Sequence, residues 1–561
     1  MLGAQGQPVP SIVKPGPLEE PASGTARPRA TRLYGAAVAL LIAVFLGLGW
    51  QTRPPLSIIG GDEPTYLSMS ESLEHGSYRE SFRANRPLHQ LYPPGYPAWL
   101  VGVRHGLGES LDVIRAVNLL LAAAALLLMV GVVKGLAGSG YALAWLMLLV
   151  FHGDLLTHSG SAHSESLYLL LSCAALVLTW RTKPELAEGK GGKWVAVALL
   201  AVAAFLVRPV GLAVLVGVAI WLIQTRRRVA LLGFVTAGVL LVGGWLTYVK
   251  RPTNIEAGTS HAADFSAGFQ EEPGRIMALL EKVWTNVKVY ATSELPFSLQ
   301  LPTLPGTVVD NLFWLLLTLV VLAFGMASLW RKWPPAMTYL AAYGGILLMW
   351  PWPAGRLLVP VVPVLLLTAL LGVQQALLRV PARWRAACVG ALAILVGLGY
   401  APRLAARLER SPACDRSSPY TSPGCYDPGT RSMIAAAMFL RDHAAPGEVV
   451  LTGKPSSIHY LSGLQAEPAQ LLDGVEEGGA AAELRKRGID YVIISTVLPQ
   501  ERGPLAHALR ASCTELRVEG QFDSRALLLS PLPAPSDSMH ACQALRAFLQ
   551  QDMQDGRWPL W

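Results

Sequence analysis

Charge is scarce in this sequence: Asp, Glu, Lys and Arg make up 15% of 561 residues, where a soluble globular chain carries about a quarter. With 52% hydrophobic residues and a mean hydropathy of +0.39, the deficit points to a chain solvated largely by lipid. No internal repeat stands out, and ionisable residues do not gather in the middle of apolar runs. A transporter or lipid flippase, the competing reading, would be expected to show both. The formal charge of +8 is unevenly placed. Residues 1–400 hold 30 Lys and Arg against 20 Asp and Glu, and the remainder 16 against 18. The excess belongs to the apolar part, where basic residues mark cytoplasmic loops, so no nucleic acid is expected as a partner.

Cysteines are few. Cys173 and Cys388 sit in apolar runs, where a thiol is a small hydrophobe. Cys414, Cys425, Cys513 and Cys542 lie in the polar C-terminal part. Their spacing does not suit zinc. Outside the cytoplasm they would pair by proximity as Cys414–Cys425 and Cys513–Cys542.

What the chain has in abundance is apolar runs near the ~20 residues a membrane helix needs. Residues 1–32 form a Pro- and Gly-rich basic segment, expected to be a disordered cytoplasmic tail. The run at 33–50 reads as a retained span, because a long leader precedes it and no small-residue cleavage site follows. Ten more runs lie near 112–133, 141–157, 164–180, 194–207, 209–224, 229–249, 308–330, 336–351, 357–378 and 386–402. Starting inside, every inner turn then carries a basic residue, including Lys134, Arg226 to Arg228, Arg331 and Arg383, as the positive-inside rule requires.

The expected fold is therefore mainly α: a polytopic transmembrane bundle of about 11 spans over 33–402 with a small extracytoplasmic α/β domain over 403–561. Outer loops fall at 51–110 and 250–306. The second contains Ile276, Leu279, Leu280, Val283 and Val287 at helical spacing, which suits either the membrane surface or the bundle. In the tail, 449–451, 491–495 and 526–529 read as strands, and 480–487 and 505–511 as helices. No glycine-rich phosphate loop is present there.

The first outer loop carries the unusual chemistry: Asp62-Glu63-Pro64-Thr65-Tyr66, then Gly76-Ser77-Tyr78, then Tyr92-Pro93-Pro94-Gly95-Tyr96-Pro97. An acidic pair at a membrane face can take a proton from a hydroxyl or bind a cation. It can equally start a helix, with Asp62 as N-cap and Pro64 in the first turn.

This order of residues resembles the first outer loop of the GT-C membrane glycosyltransferases, in the branch of protein O-mannosyltransferases and bacterial aminoarabinose transferases. Later landmarks are similar in the same order: Arg115-Ala-Val-Asn118, Ser164-Glu165-Ser166-Leu167, Arg208-Pro209-Val-Gly211-Leu212, and Gly355-Arg356 followed by Pro360 and Pro363. The resemblance covers residues 33–400 and, more loosely, 451–463. It implies an inverting transferase in a bacterial inner membrane, with its N-terminus in the cytoplasm. The implied donor is a sugar on polyprenyl phosphate, and the acceptor an envelope glycolipid such as lipid A, a glycan or a protein. Membrane lipids would surround it.

In that reading Asp62 is the general base, with Glu63 at its side either to hydrogen-bond the acceptor or to hold the loop. Arg208 and Arg356 would bind the departing phosphate. Tyr66, Tyr92, Tyr96, His163 and Glu165 would line the acceptor side or the cavity. One departure is Tyr92, which stands where some relatives have Lys before the Pro-Pro pair; Arg83 and Arg86 are nearby substitutes. A second is Ser166 in place of Pro. No cofactor is required by the sequence. Some relatives bind a divalent metal, for which Asp62, Glu63, His89 and His163 are the available ligands, although no spacing compels one.

Overall fold

The computed structural model describes residues 28–59, 62–181, 192–251, 275–299, 308–350 and 355–554, less 416–418, 421, 423, 477, 498, 524 and 534–538. Most of the expected basic tail and much of the second outer loop lie outside these residues.

Each of the eleven apolar runs is helical. The first helix, α1 (Pro28–Gln51), begins inside the expected tail. Two loop helices follow, α2 (Glu63–Glu74) and α3 (Gly95–Leu107). Then come α4 (Leu111–Ala137), α5 (Ser139–Val150), α6 (Gly153–Ser159), α7 (Glu165–Arg181) and α8 (Gly192–Val207). The bundle continues through α9 (Leu212–Gln224), α10 (Arg228–Val249), α11 (Arg275–Val289), α12 (Val308–Lys332) and α13 (Pro334–Met349). It closes with a 3-10 segment Gly355–Val361, α14 (Val362–Ala376) and α15 (Ala382–Ala413).

Among the described residues, six helices are long and apolar enough to cross a bilayer, and the α5–α6 pair, bent by 65°, makes a seventh. The other four expected spans, α7, α8, α9 and α13, have 17, 16, 13 and 16 residues. At about 1.5 Å per residue each is shorter than the ~30 Å hydrocarbon core. Length alone thus supports fewer crossings than eleven, while every expected run is in place. Leu40, Val239, Leu240 and Phe324 are exposed on the bundle, as lipid-facing side chains are.

Helix α11 is two-sided. Met277, Leu280 and Trp284 are exposed, whereas buried Asn286 donates through Nδ2 to the Leu348 and Trp350 carbonyls at 2.9 Å each, satisfying the end of α13. It continues into a π-helical turn, Tyr290–Glu294.

Helix α15 runs past the expected boundary at 402 and ends at Ala413. Beyond it lie α16 (Pro428–His443), β1 (Val449–Thr452), α17 (Pro455–Ser462), β2 (Gln465–Pro468), α18 (Ala480–Lys486) and β3 (Tyr491–Ser495). Then come α19 (Pro499–Ala511), β4 (Leu516–Phe522), β5 (Ala526–Pro531) and α20 (His540–Gln554). The strands form one sheet in the order β2-β1-β3-β5-β4, parallel in its first half and antiparallel in its second. Its core gathers Leu451, Leu484, Val492, Leu527, Leu529 and Leu545. Disulfides join Cys414 to Cys425 and Cys513 to Cys542, the pairs expected from proximity.

This domain grips the first loop. Ala466 N–H donates to the Phe82 carbonyl at 2.7 Å, Ser457 Oγ to Ile58 O at 2.5 Å and Tyr426 to Leu56 O at 3.0 Å. Buried Arg83 reaches Glu467 through Nε and Nη2 at 3.0 and 2.8 Å, and the Ala84 N–H bonds the other Glu467 oxygen at 3.0 Å. Each is a contact between residues more than 360 positions apart.

Candidate active site

Asp62 is the N-cap residue of α2, with proline in the first turn, yet its side chain makes no capping hydrogen bond. The carboxylate instead pairs with the Arg356 guanidinium and accepts a hydrogen bond from Tyr92. Burial alone would raise the Asp62 carboxyl pKa; Arg356 and the Tyr92 hydroxyl outweigh it and hold the pKa below the usual carboxylate value. The helix-cap and functional readings of the sequence thus describe one residue: backbone at the cap, carboxylate in the site.

Arg208 stands where α8 breaks. Pro209 cannot continue the helix and forces the preceding residue out of the α region, and Arg208 is extended at φ −148°, ψ 137°. Its side chain is buried, with Nη1 2.8 Å from Glu165 Oε1 and donating to Ser164 Oγ at 3.0 Å. Arg356 stands at a second break, the 3-10 segment containing Pro360, and its Nε lies 4.0 Å from the same Glu165 oxygen. The four charges therefore alternate in a row: Asp62, Arg356, Glu165, Arg208. Two glycines sit at close contacts next to residues of the row. A Cβ on Gly95 would lie 2.6 Å from the Leu206 carbonyl, beside Arg208, and one on Gly355 would strike the Glu294 carboxylate.

The tyrosines pack around this row. Tyr66 lies 4.8 Å from Tyr92 and 4.9 Å from Tyr96 between ring centroids, and its hydroxyl is 3.0 Å from Ser164 Oγ. Asn118 donates to the Tyr96 hydroxyl at 2.9 Å and to the carbonyls of Ser161 and His163 at 2.7 and 3.1 Å. It thereby fixes the turn that carries His163 to the mouth of α7. The ordered landmarks marked Asn118 and Ser164, but nothing in their spacing revealed these contacts.

Glu63, expected beside Asp62 as a catalytic residue, has a different place. It is fully buried, and its two oxygens accept from the backbone N–H groups of Ser57 and Ala162, each at 2.5 Å. It ties the entry of the loop to the α6–α7 turn, the loop-holding one of the two places the sequence allowed it. Arg83 is likewise withdrawn from the donor side by Glu467, and exposed Arg86 sits at a turn with φ 41°. The residues offered for a metal do not converge. His89 Nε2 accepts from the Tyr92 N–H at 3.2 Å, leaving Nδ1 for Glu80 at 2.9 Å, while Asp62 and Glu63 are engaged as described. Among the described residues, no group of three or more His, Cys, Asp or Glu is placed to hold a metal ion.

An apolar cavity of about 330 Å³ opens along the bundle near the row, lined among others by Val287, Tyr290, Leu322, Tyr343, Leu358 and Val361. Leu358 and Val361 belong to the 3-10 segment that carries Arg356, and Tyr343 donates to the Leu357 carbonyl at 2.5 Å. Cationic groups and an apolar cavity are thus held by one stretch of backbone.

No family model and no curated protein matches the chain. Solved structures do. ArnT from Cupriavidus metallidurans bound to undecaprenyl phosphate superposes with a TM-score of 0.53 at 14% identity, over 90% of this chain and 99% of that one. Its apo state gives 0.54, also at 14% identity, over 90% and 98%. An Archaeoglobus fulgidus oligosaccharyltransferase tethered with an acceptor peptide gives 0.50 at 10% identity, over 85% and 72%. The chain has the GT-C fold of these membrane glycosyltransferases, the fold that its ordered landmarks implied.

Proposed function

We propose that this protein is an inverting membrane glycosyltransferase that moves a sugar from a polyprenyl-phosphate donor to a hydroxyl of an extracytoplasmic acceptor. The observation that carries the reading is the row Asp62, Arg356, Glu165, Arg208 beside an apolar cavity. A polyprenyl phosphate needs both elements: a greasy path for its chain and fixed positive charge for its phosphate. The likeness to ArnT bound to undecaprenyl phosphate supports this class of donor, and the acceptor peptide tethered to the oligosaccharyltransferase supports glycan or protein acceptors in general.

In the reaction, the acceptor oxygen attacks the anomeric carbon as the bond from that carbon to the phosphate oxygen breaks. The acceptor proton passes to Asp62. Polyprenyl phosphate leaves as an anion, stabilised by Arg356 and Arg208. A single displacement inverts the anomeric centre. The paired cysteines support a C-terminal domain outside the cytoplasm; with an odd number of crossings the N-terminus then lies inside, the orientation proposed for an inner-membrane enzyme.

The test is mass spectrometry of envelope glycolipids, polysaccharides and glycoproteins from cells with and without the chain, and with the Asp62→Asn variant. Loss of one sugar from one acceptor class, in both the deletion and the variant, is expected. An unchanged set of glycans would overturn the reading in favour of a lipid transporter.

A further inference from the structure

Tyr92, the residue at which this chain departs from relatives with Lys, is pinned by its main chain on both sides. Its N–H donates to His89 Nε2 at 3.2 Å, and its carbonyl accepts from the Tyr78 hydroxyl at 2.8 Å. Pro93 and Pro94 follow and restrict the backbone beyond it. A backbone N–H can only donate, so His89 Nε2 is the acceptor and the ring hydrogen lies on Nδ1, 2.9 Å from Glu80 Oε1. Arg83, held by Glu467 of the C-terminal domain, flanks the other Glu80 oxygen at 3.6 Å. The His89 ring also meets the rings of Tyr78 and Tyr92, with centroids 5.4 and 5.5 Å away.

Glu80, Arg83 and His89 are all buried. Buried ionisable side chains seldom stabilise a fold more than well-packed apolar ones would, so this set serves geometry more than stability. What it holds in place is the Tyr92 hydroxyl, which donates to the Asp62 carboxylate. We infer that His89 and Glu80 are positioning residues of the reaction: Glu80 fixes the His89 ring, His89 fixes the Tyr92 main chain, and the Tyr92 hydroxyl in turn sets the orientation of the proposed base. The other groups that act on Asp62 are Arg356 from the 3-10 segment, His163 from the α6–α7 turn and Tyr66 from α2. His89 reaches the carboxylate through Tyr92. This inference rests on the proposed transferase reading.

The test mixes the purified full-length chain with a detergent extract of envelope membranes from cells lacking it, which supplies donor and acceptor. Product is followed by mass spectrometry across the acid range of pH, and the folded fraction of each variant by thermal unfolding. Loss of the Tyr92 contact raises the Asp62 pKa, so the acid limb of the rate moves to higher pH. Asparagine has an amide that reaches the Nδ1 position and falls short of Nε2, whereas glutamine carries an oxygen out to the Tyr92 N–H. His89→Asn is expected to move the limb up by roughly one pH unit, the tenfold worth of one hydrogen bond, and His89→Gln to keep it near wild type. In a Tyr92→Phe background His89→Asn moves it no further. Glu80→Leu releases the His89 ring, shifts the limb the same way, and serves if His89→Asn does not accumulate. An unmoved limb in these variants, or asparagine and glutamine that behave alike, overturns the positioning role and leaves the transferase reading intact. A shift that adds to that of Tyr92→Phe overturns it as well, because His89 then acts by a route other than Tyr92. No product from wild type overturns both readings.

Discussion

Asp62 begins α2 as its N-cap residue but turns its carboxylate away from the helix to pair with Arg356, 294 positions later in the chain. Capping by an aspartate stabilises a helix by about 1 kcal/mol. A carboxylate that forgoes this to sit beside a guanidinium is held for another purpose, and its neutral amide should reveal which. Asp62→Asn is expected to lower the rate of transfer by roughly 10²- to 10⁴-fold, the range of general-base catalysis, with membrane insertion and thermal stability close to wild type. A variant that retains transfer while folding normally would remove Asp62 from the proton step.

The pH profile should carry the mark of its neighbours. A base works only when deprotonated, and Arg356 and Tyr92 lower the Asp62 pKa. The acid limb of kcat/KM should therefore lie below the ordinary carboxylate range. Tyr92→Phe removes one lowering contact and moves that limb to higher pH. Arg356→Gln moves it further, measured on residual activity. A limb that moves down in either variant contradicts the assignment.

Glu63 should behave as a structural residue. Hydrogen bonds to a charged group are worth about 1.5–3 kcal/mol, and Glu63→Gln places an amide NH₂ against one of two backbone N–H donors. The expected result is a lower unfolding temperature in detergent, with activity falling in step with the folded fraction.

Glu467→Ala removes the hydrogen-bonding partner of the buried Arg83 guanidinium and leaves it only the 3.6 Å ion pair with Glu80, at an expected cost of about 1.5–3 kcal/mol. Hydrogen exchange should then rise over residues 78–90 and along β2. Arg83→Met combined with Glu467→Leu should recover part of the loss, because the Arg83–Glu467 pair is removed whole and Glu80 keeps its contact with His89 at 2.9 Å.

Replacing Cys513 and Cys542 by serine opens a covalent loop with a separation of 29 residues. Loop-closure entropy predicts a loss of about 3–4 kcal/mol in the C-terminal domain, against about 2.5–3 for Cys414 and Cys425, whose separation is 11. Urea unfolding of the full chain under oxidising and reducing conditions reads the difference.

What could be seen in the sequence was local. Apolar runs gave the bundle helices other than α11 because lipid imposes a length and a composition on each segment separately. Strands β1, β3 and β5 announced themselves through runs such as 491–495. Strand β2, Gln-Ala-Glu-Pro, and the largely polar β4, with its irregular register between Val518 and Gly520, did not, since pairing rather than propensity makes them strands. The row of charges was named residue by residue, but its alternation was not, and neither were the contacts of Glu63 with the Ser57 and Ala162 main chain. Main-chain contacts of this kind leave no pattern in side-chain identities. The helix breaks at Arg208-Pro209 and near Arg356 were the most informative local signals, because proline there frees a backbone turn and holds a cation in it.

The clamp between Phe82–Arg83 and Ala466–Glu467 has a consequence for biogenesis. The loop that carries Asp62 leaves the ribosome early, yet its partners are translated about 380 codons later. The bundle can therefore enter the membrane helix by helix while the first loop still lacks these contacts. A ribosome stalled in between leaves an inserted product without them, so the order of synthesis puts the support of the proposed site last.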